Sequence, residues 1–183
     1  MTKTRTNFDK GLRMDFACAK DMLRPAMTCI HFKDGYAYAT DGCVLVKNFL
    51  LECTTIPEYQ IEKLNGKNLY RESYKEILKY DTIEVSEDGI EATKNGEKSF
   101  FYFSDMDGHA YPDAEGAIQN ALNSPSVPMN QIVLNTENLI KLNKALHGSN
   151  VCKYQFTGEY RPMILQSVES ASIGIIMPCM LSE

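Results

Sequence analysis

The sequence has 183 residues, of which 44% are hydrophobic and 23% are charged. This length and hydrophobic content suffice for one large core or two small ones, and they exclude a wholly disordered chain. The formal net charge of -5 disfavours nonspecific nucleic-acid binding by the whole surface, although it leaves room for one basic face.

The first predicted unit starts with a helix near the beginning of the chain. Phe8, Leu12 and Phe16 recur at i, i+4 and i+8, which is the buried stripe of a helix that Pro25 would end. The Asp34-Gly35 pair is typical of a two-residue hairpin turn. The three strands predicted for this unit are 28–33, 36–40 and 44–51.

A second unit is predicted after the connection that contains Pro57. Tyr74, Ile77 and Leu78 share one face, which predicts a short helix over 73–80. Two turn signals, Asp88-Gly89 and Asn95-Gly96, then separate the strands of a meander. Those strands are predicted at 82–86, 90–94 and 98–104.

Residues 107–130 are the least regular part of the chain. They contain Pro112, Pro125 and Pro128 together with Ser and Asn, a composition that favours a linker. We therefore expect a domain of two units over 1–116, a linker over 117–130 and a half-domain over 131–183.

The third unit repeats the scheme of one helix and several strands. Asn135 or Thr136 is a suitable N-cap, and Gly148 is a suitable stop, for a helix that carries its leucines on one face. Those leucines are Leu139, Leu142 and Leu146. The strands predicted for this unit are 131–134, 151–157, 162–168 and 172–177.

Cysteines, histidines and apolar runs give no sign of a metal, a cofactor or a membrane. The six Cys and three His show no C-x-x-C spacing and no second ligand at helical or hairpin spacing. No apolar run approaches the roughly 18 residues that a membrane-spanning helix needs. The polar start of the chain also lacks the apolar core of a signal peptide. We expect a cytoplasmic protein without metal, cofactor or membrane partner.

Three segments, in the expected order, resemble landmarks of the bacterial sliding clamps. Residues 39–45 read ATDGCVL and are similar to the family's "ATDGxRL" turn, and residues 175–181 read IIMPCML and are similar to its "VVMPMRL" C-terminus. Residues 104–113 read SDMDGHAYPD and resemble the segment that closes one clamp domain and leads into the next. The resemblance implies an α+β fold built of DNA-clamp-like repeats, each with one helix and antiparallel strands, with about three units here.

The number of units departs from the family pattern. A clamp subunit of that family has three domains of two units each, whereas this chain resembles the middle domain followed by the second half of the last. A closed ring of the family has twelve units, which four chains of this kind would supply. The resemblance therefore implies a homo-oligomer, with ring formation as a hypothesis.

The resemblance also implies a hydrophobic pocket that captures short peptides of DNA polymerases and repair proteins. A mainly apolar set of residues suits such a site, since an inserted Leu or Phe needs an apolar cleft with few polar anchors. An alternative is that these segments are only a core strand and an ordinary turn. The residues carried over are Thr40, Gly42, Val44, Leu45, Pro112, Ile175, Ile176, Met177, Pro178 and Met180. Family members usually have basic residues where Val44 and Met180 stand, so this pocket would be more apolar.

A basic stripe suggests contact with double-stranded DNA. On the first and third predicted helices the basic residues lie near one face, opposite the apolar stripe. In the family such helices line the central hole and touch phosphates without reading bases. The DNA-facing residues are Lys10, Arg13, Lys20, Arg24, Lys141 and Lys144. An ordinary solvated face is the alternative, and it is our interpretation of the second helix, where Glu72 and Glu76 would pair with Lys75 and Lys79.

An enzymatic role is the third hypothesis. Asp105, Asp107 and Asp113, with His109 among them, could in principle bind a metal or perform acid–base chemistry. The segment is rich in turn residues, and no nucleophile set or phosphate-binding glycine loop accompanies it. We therefore predict a non-catalytic, sliding-clamp-like protein that associates with DNA and tethers replication or repair partners. The alternative is a clamp-fold peptide-binding or self-associating adaptor that does not encircle DNA.

Overall fold

The structure, a computed structural model, describes residues 5–129 and 131–180. Ten strands form two antiparallel sheets in this part of the chain. The strands are β1 Cys29–Lys33, β2 Tyr36–Thr40, β3 Val44–Phe49, β4 Asn68–Tyr70, β5 Thr82–Val85, β6 Gly89–Lys94, β7 Glu97–Tyr102, β8 Cys152–Gln155, β9 Met163–Ser167 and β10 Ile173–Ile176. The helices are α1 Leu50–Cys53, α2 Glu58–Lys63, α3 Arg71–Ile77, α4 Ala114–Leu122 and α5 Thr136–Ala145.

The larger sheet joins the first and third predicted units. Its order is β4-β1-β2-β3-β10-β9-β8, while β5, β6 and β7 form the smaller sheet. Strands β3 and β10 pair antiparallel, with Leu45 opposite Ile175 and Val44 opposite Ile176. The predicted α+β class with antiparallel strands is thus confirmed, whereas the domain boundaries stay a prediction.

Two hairpin turns form where the sequence predicts them. Asp34 and Gly35 have φ of 51° and 79°, and Asn95 and Gly96 have φ of 51° and 88°. Positive φ at both central residues is the type I′ geometry that matches the twist of the flanking strands. Asp and Asn accept this conformation more readily than other side chains that carry a Cβ.

The main core lies between the sheets and the helices. Phe8 and Tyr74 are both fully buried, with ring centroids 5.3 Å apart. The hydroxyl of Tyr74 donates a hydrogen bond to the carbonyl oxygen of Leu12 at 2.9 Å, so its polar atom is satisfied inside the core. None of the described helices is long and apolar enough to cross a membrane.

The predicted first helix is wrong. Residues 7–24 contain only a single 3-10 turn, Met14–Phe16, and a second such turn covers Pro25–Thr28. The backbone here pairs with distant segments instead, since the N–H of Asp9 donates to the carbonyl of Cys53 at 3.0 Å. Gly11 also weakens a helix at this place. Phe8 and Leu12 are buried as predicted, but not on a helical face.

The irregular stretch over 107–130 contains the helix α4, whose residues 117–122 fall in the predicted linker over 117–130. Asp113 caps this helix by accepting a hydrogen bond from the N–H of Gly116 at 2.9 Å, and Ala114, Ile118 and Ala121 are buried along one face. Their i, i+4, i+7 spacing behind an Asp N-cap was a readable helix signal. The prolines of this stretch lie before and after the helix, so they do not interrupt it.

The other elements differ less from the predictions. The helices α3 and α5 form, and the side chain of Asn135 caps α5 by accepting from the N–H of Glu137 at 2.8 Å. The predicted strand over 131–134 does not form. The strand predicted over 44–51 ends at Phe49, where the short helix α1 begins.

Candidate functional site

A cleft of about 160 Å³ lies where the β2–β3 turn, β10 and α4 meet. Its walls include six of the ten predicted pocket residues, which are Thr40, Gly42, Val44, Leu45, Ile175 and Met177. The structure therefore brings together the two segments that lie far apart in the sequence. The pairing of β3 with β10 is the physical cause.

The turn at the mouth of the cleft is held by its own side chains. The hydroxyl of Thr40 donates to the carbonyl of Val44 at 2.7 Å and accepts from the N–H of Gly42 at 3.1 Å. The carboxylate of Asp41 accepts from the N–H groups of Cys43 and Val44 at 2.9 and 3.0 Å. Gly42 has φ of 89°, which favours glycine. Thr40, Asp41 and Gly42 thus each have a backbone reason to be at their positions in this turn.

The wall opposite the turn is apolar and partly open. Leu45 and Ile175 are adjacent partners across the β3–β10 pair and are 7% and 6% exposed. Met177 follows β10 and is 38% exposed, while its N–H donates to the carbonyl of Cys43 at 2.9 Å. Met177 is therefore the flexible apolar side chain that a ligand would meet first.

Four predicted pocket residues do not line this cleft. Ile176 is fully buried in the main core, because successive strand residues point to opposite faces of the sheet. Pro112 lines a separate depression. Pro178 and Met180 are not among the lining residues, and Met180 is 77% exposed. Leu181, the last residue of the similar segment, lies outside the described residues.

Three lining residues were missed by the sequence analysis: Cys43, Ala117 and Pro162. Cys43 belongs to the turn segment itself. Ala117 lies on α4, so it was lost together with that helix. Pro162 precedes β9 and is near the cleft only because β9 pairs with β10, which sequence spacing does not reveal.

Glu115 holds α4 against the larger sheet. Its carboxylate accepts hydrogen bonds from Lys47 Nζ at 2.7 Å, from the Tyr38 hydroxyl at 2.8 Å and from Gln119 Nε2 at 2.9 Å. Burial disfavours the charged form of Glu115, but the hydrogen bonds from Lys47, Gln119 and Tyr38 outweigh it and lower the pKa to about 2. The pair of Glu115 with Lys47 therefore positions the helix that supplies Ala117 to the cleft.

Replacing Glu115 with glutamine should make the stability of the protein less dependent on pH. The folded-state pKa of about 2 lies below the ordinary 4.5, so the stabilisation is complete above pH 4.5 and is lost as the pH falls towards 2. The carboxylate is 39% exposed and partly screened, so we expect a loss of about 1 kcal/mol at neutral pH. Urea unfolding of the variant and of the unsubstituted protein, at neutral pH and at about pH 3, measures this loss in the free energy of unfolding. The control is Glu62→Gln on α2, and an equal loss for Glu115→Gln at both pH values would contradict this account.

The depression that contains Pro112 has an aromatic floor. It encloses about 240 Å³. The rings of His31 and Tyr111 stack in it with centroids 4.7 Å apart, and Nδ1 of His31 lies 2.7 Å from Oδ1 of Asn68. Burial lowers the pKa of His31 despite that hydrogen bond. Pro112 thus helps to begin α4 beside this aromatic pair and not at the cleft.

A basic face lies on the side of the molecule that carries α3, α5 and the Met14–Phe16 turn. Two depressions, of about 450 and 390 Å³, share Arg13 and Lys75. Their basic residues are Lys10, Arg13, Lys20, Arg71, Lys75, Lys79, Lys94 and Lys141. We call this set, together with Lys144, the basic face. Four of the six predicted DNA-facing residues line these depressions, namely Lys10, Arg13, Lys20 and Lys141. The helix that was predicted to carry the first three does not form.

Lys144 and Arg24 complete the predicted set. Lys144 Nζ lies 4.4 Å from the centroid of the Phe16 ring, and the carbonyl of Lys144 accepts from the N–H of Arg13 at 2.9 Å, so it adjoins the basic face. Arg24 lies elsewhere. A Cβ on Gly42 would come within 2.8 Å of Nη1 of Arg24, which puts this guanidinium beside the turn of the cleft.

Several cations of the basic face are paired with carboxylates. Arg13 binds Asp15 through two hydrogen bonds of 2.8 and 2.7 Å, and Lys141 lies 2.7 Å from Asp41. The predicted pairs on α3 are present, namely Lys75 with Glu72 and Lys79 with Glu76. Within residues 5–129 and 131–180, Lys10, Lys20, Lys94 and Lys144 form no ion pair, so these four carry the uncompensated positive charge of the face.

Two of the three carboxylates considered for catalysis, Asp105 and Asp113, have backbone roles. Asp105 accepts from the N–H of Asp107 at 3.0 Å in a 3-10 turn, and Asp113 caps α4. No three side chains of the His, Cys, Asp and Glu types come together as a metal site requires in the part of the chain that the structure describes.

The architecture defines a DNA-clamp fold: units of one helix or turn and antiparallel strands, with a cleft of about 160 Å³ at the junction of two units. Solved structures of bacterial sliding clamps share this fold. The sliding clamp, DNA polymerase III subunit beta, of Bartonella birtlesii bound to griselimycin has a TM-score of 0.64 at 14% identity, over 94% of this chain and 64% of that chain. This similarity shows the fold.

Two further sliding clamps give the same result. The clamp of Bacillus subtilis has a TM-score of 0.61 at 14% identity over 99% of this chain and 65% of that chain. The beta subunit of Streptococcus pyogenes DNA polymerase has a TM-score of 0.61 at 17% identity, over 94% and 62%. The chain thus spans less than two thirds of these proteins, as a shortened clamp-like protein. No protein-family profile matches the sequence, and no curated protein matches it significantly.

Proposed function

We propose that this protein is a non-catalytic clamp-like module that associates with double-stranded DNA and tethers replication or repair proteins by a short peptide. The observation that carries the proposal is the cleft between the β2–β3 turn and β10. It is formed by two segments whose similarity to clamp segments was noted from sequence alone, and it occurs within a sliding-clamp fold.

The size and chemistry of the cleft suit one apolar side chain of a peptide. A cavity of roughly 150 Å³ accepts a benzene-sized group, and this cleft encloses about 160 Å³. Its walls are mainly apolar, with Leu45, Ile175 and Met177 inside. Arg24, beside the turn, would add a cation for a carboxylate of the same peptide. A peptide that inserts a Leu or Phe side chain and has an acidic residue nearby therefore fits best.

The basic face supports DNA binding through phosphate contacts and not through the bases. Lys and Arg side chains that neutralise phosphates give binding without sequence preference, and that binding weakens with salt. Lys10, Lys20, Lys94 and Lys144 are available for this, since they form no ion pair among the described residues. No arrangement for reading bases accompanies them, which is consistent with a protein that slides or rests on any sequence.

A second candidate is a clamp-fold adaptor that binds peptides without encircling DNA. The ion pairs of Arg13 with Asp15 and of Lys141 with Asp41 favour it, because they compensate two of the cations expected to face DNA. The net charge of -5 favours it too. Under either candidate we propose a cytoplasmic protein that forms homo-oligomers, and four chains would supply the twelve units of a closed clamp ring.

Two titrations separate the candidates. Fluorescence anisotropy would follow a labelled short peptide that carries adjacent Leu and Phe, with an alanine-substituted peptide as control, and then a labelled DNA duplex at low and moderate salt. A clamp-like module binds both ligands, and its DNA binding falls steeply with salt. Binding of the peptide alone would support the adaptor, and binding of neither would refute both.

A further inference from the structure

The units of this fold exchange strands through the segments that precede their helices. We call the residues directly before each unit's helix or 3-10 turn its leading segment. The leading segment of the second unit is β4, which ends where α3 begins and pairs with β1 of the first unit. In return Thr6, ahead of the first unit's 3-10 turn, makes a single parallel bridge to Thr82 of β5 in the second unit, whereas β4 and β1 pair antiparallel. Each leading segment thus pairs with the first strand of the companion unit.

The third unit has both parts of this exchange but no companion among the described residues. Its first strand, β8, is the outer strand of the larger sheet. Its leading segment, residues 131–134, forms no strand, although Ile, Val and Leu favour one. The predicted strand does not form there because the described residues offer no sheet edge to receive the segment.

The open edge of β8 has unpaired backbone groups. The N–H of Val168 donates to the carbonyl of Val151 at 3.0 Å, so the odd-numbered residues of β8 face β9 and the even-numbered ones face outward. The N–H and C=O groups of Cys152 and Tyr154 have no partner among the described residues. Only the carbonyl of Phe156, just beyond the strand, is occupied, by the N–H of Val127 at 2.9 Å.

The apolar side chains at this edge are only partly buried. Cys152 and Phe156 pack against the main core from the same strand face, while Tyr154 between them is 52% exposed. In the leading segment, Ile132 and Leu134 pack against the same core, and the carbonyl of Val133 accepts from the N–H of Cys179 at 2.8 Å. Edges of this kind pair readily with another chain.

We propose that two copies of this chain associate through their third units, with the leading segment 131–134 of each copy added to the β8 edge of the other. The interface is isologous, because each copy supplies one segment and one edge. The two third units then make one further clamp-like domain, in addition to the pair that the first and second units form within each copy. The proposal rests on the topology of the sheets and not on binding of DNA or peptide.

The β4–β1 pair supplies the register. There Leu69, two residues before α3, lies opposite Ile30, which has its backbone groups on the outer edge of β1 and its side chain in the main core. Leu134 has the same offset from α5, and Cys152 is the first residue of β8 with outward backbone groups, as Ile30 is of β1. We therefore place Leu134 of one copy opposite Cys152 of the other, and Ile132 opposite Tyr154. Val133 then lies opposite Lys153. This register also keeps Ile132 and Leu134 on the core side.

A proline at the open edge tests the pairing. Tyr154→Pro removes an N–H that faces outward and is not used within the chain, so the subunit should keep its fold. The matched control is Tyr102→Pro on β7, the outer strand of the smaller sheet. The N–H of Phe103 donates to the carbonyl of Asp88, so the N–H of the preceding residue, Tyr102, faces outward. Sedimentation velocity across a concentration series should show an associating wild type and control. For Tyr154→Pro the dissociation constant should rise about tenfold or more.

A cysteine pair tests the register even if Tyr154→Pro fails to fold. Val133→Cys with Lys153→Cys should give a disulfide-linked dimer on a non-reducing gel, because Cα atoms of such a strand pair are about 4.5 Å apart. Val133→Cys with Val151→Cys is the control, two residues out of register. A wild type that stays monomeric at all concentrations, or dissociation by Tyr102→Pro alone, would overturn the proposal. So would an equal yield of linked dimer from both cysteine pairs. Each result leaves the peptide and DNA titrations to be judged separately.

Discussion

Replacement of Met177 by aspartate is expected to weaken binding of a Leu- and Phe-bearing peptide about a hundredfold or more. Met177 lines the cleft beside Leu45 and Ile175 and is 38% exposed. A carboxylate there would be desolvated by the entering apolar side chain, which costs more than the contact it replaces. The side chain is partly exposed in the free protein, so the fold should survive. Fluorescence anisotropy with the labelled peptide measures the change.

The matched control is Met180→Asp in the same terminal segment. Met180 was predicted for the pocket from the family resemblance, yet it is 77% exposed and is not a lining residue. Its replacement should leave the peptide affinity within about twofold. If both substitutions abolish binding equally, the cleft described here is not the binding site. If neither does, the peptide binds elsewhere.

Charge reversal at Lys10 and Lys20 together is expected to weaken association with a DNA duplex about tenfold or more at low salt. Both side chains line the basic face, are exposed and form no ion pair among the described residues. If each contacts one phosphate, the slope of log affinity against log salt should become shallower by about 1.8. Electrophoretic mobility shifts over a salt series measure both quantities.

The control for this experiment is Lys33→Glu with Arg161→Glu, which changes the net charge equally at exposed positions outside the basic face. It should leave most of the affinity and the slope intact. Equal losses for the two double variants would mean that only net charge matters, and would contradict a dedicated DNA face. Arg13 is a poor choice for this test. Its carboxylate partner Asp15 is 2% exposed. Replacing Arg13 would leave that buried carboxylate unpaired and destabilise the fold by about 3 kcal/mol.

The strands and turns of this fold could be predicted because their signals are local. Asp34-Gly35 and Asn95-Gly96 adopt the positive φ values that their residue types favour, and the strands beside them start or end within a residue or two of the predictions. The first helix could not be predicted correctly because its apolar spacing was satisfied in another way. Phe8 is buried by Phe32 and Tyr74, while the backbone around it bonds to the segment near Cys53.

The candidate site was predictable in its strands and not in its helix. Gly42, Leu45, Ile175 and Met177 were assigned from similarity to clamp segments, and the β3–β10 pair brings them together. Ile176 was misassigned because strand alternation turns it towards the core. Ala117 was missed because three prolines suggested a linker, although an Asp cap and apolar i, i+4, i+7 spacing identify α4. The edge of β8 could not be seen in the sequence, since it depends on which strand has no neighbour.

The measurement that tests the central proposal most directly is a bridging assay. A DNA duplex is immobilised, the protein is added at low salt, and retention of the labelled Leu- and Phe-bearing peptide on the DNA is recorded with and without the protein. We expect retention that requires the protein and is lost separately with Met177→Asp and with Lys10→Glu plus Lys20→Glu. If the protein binds each ligand alone but never holds the peptide on DNA, tethering by this clamp-like fold is contradicted.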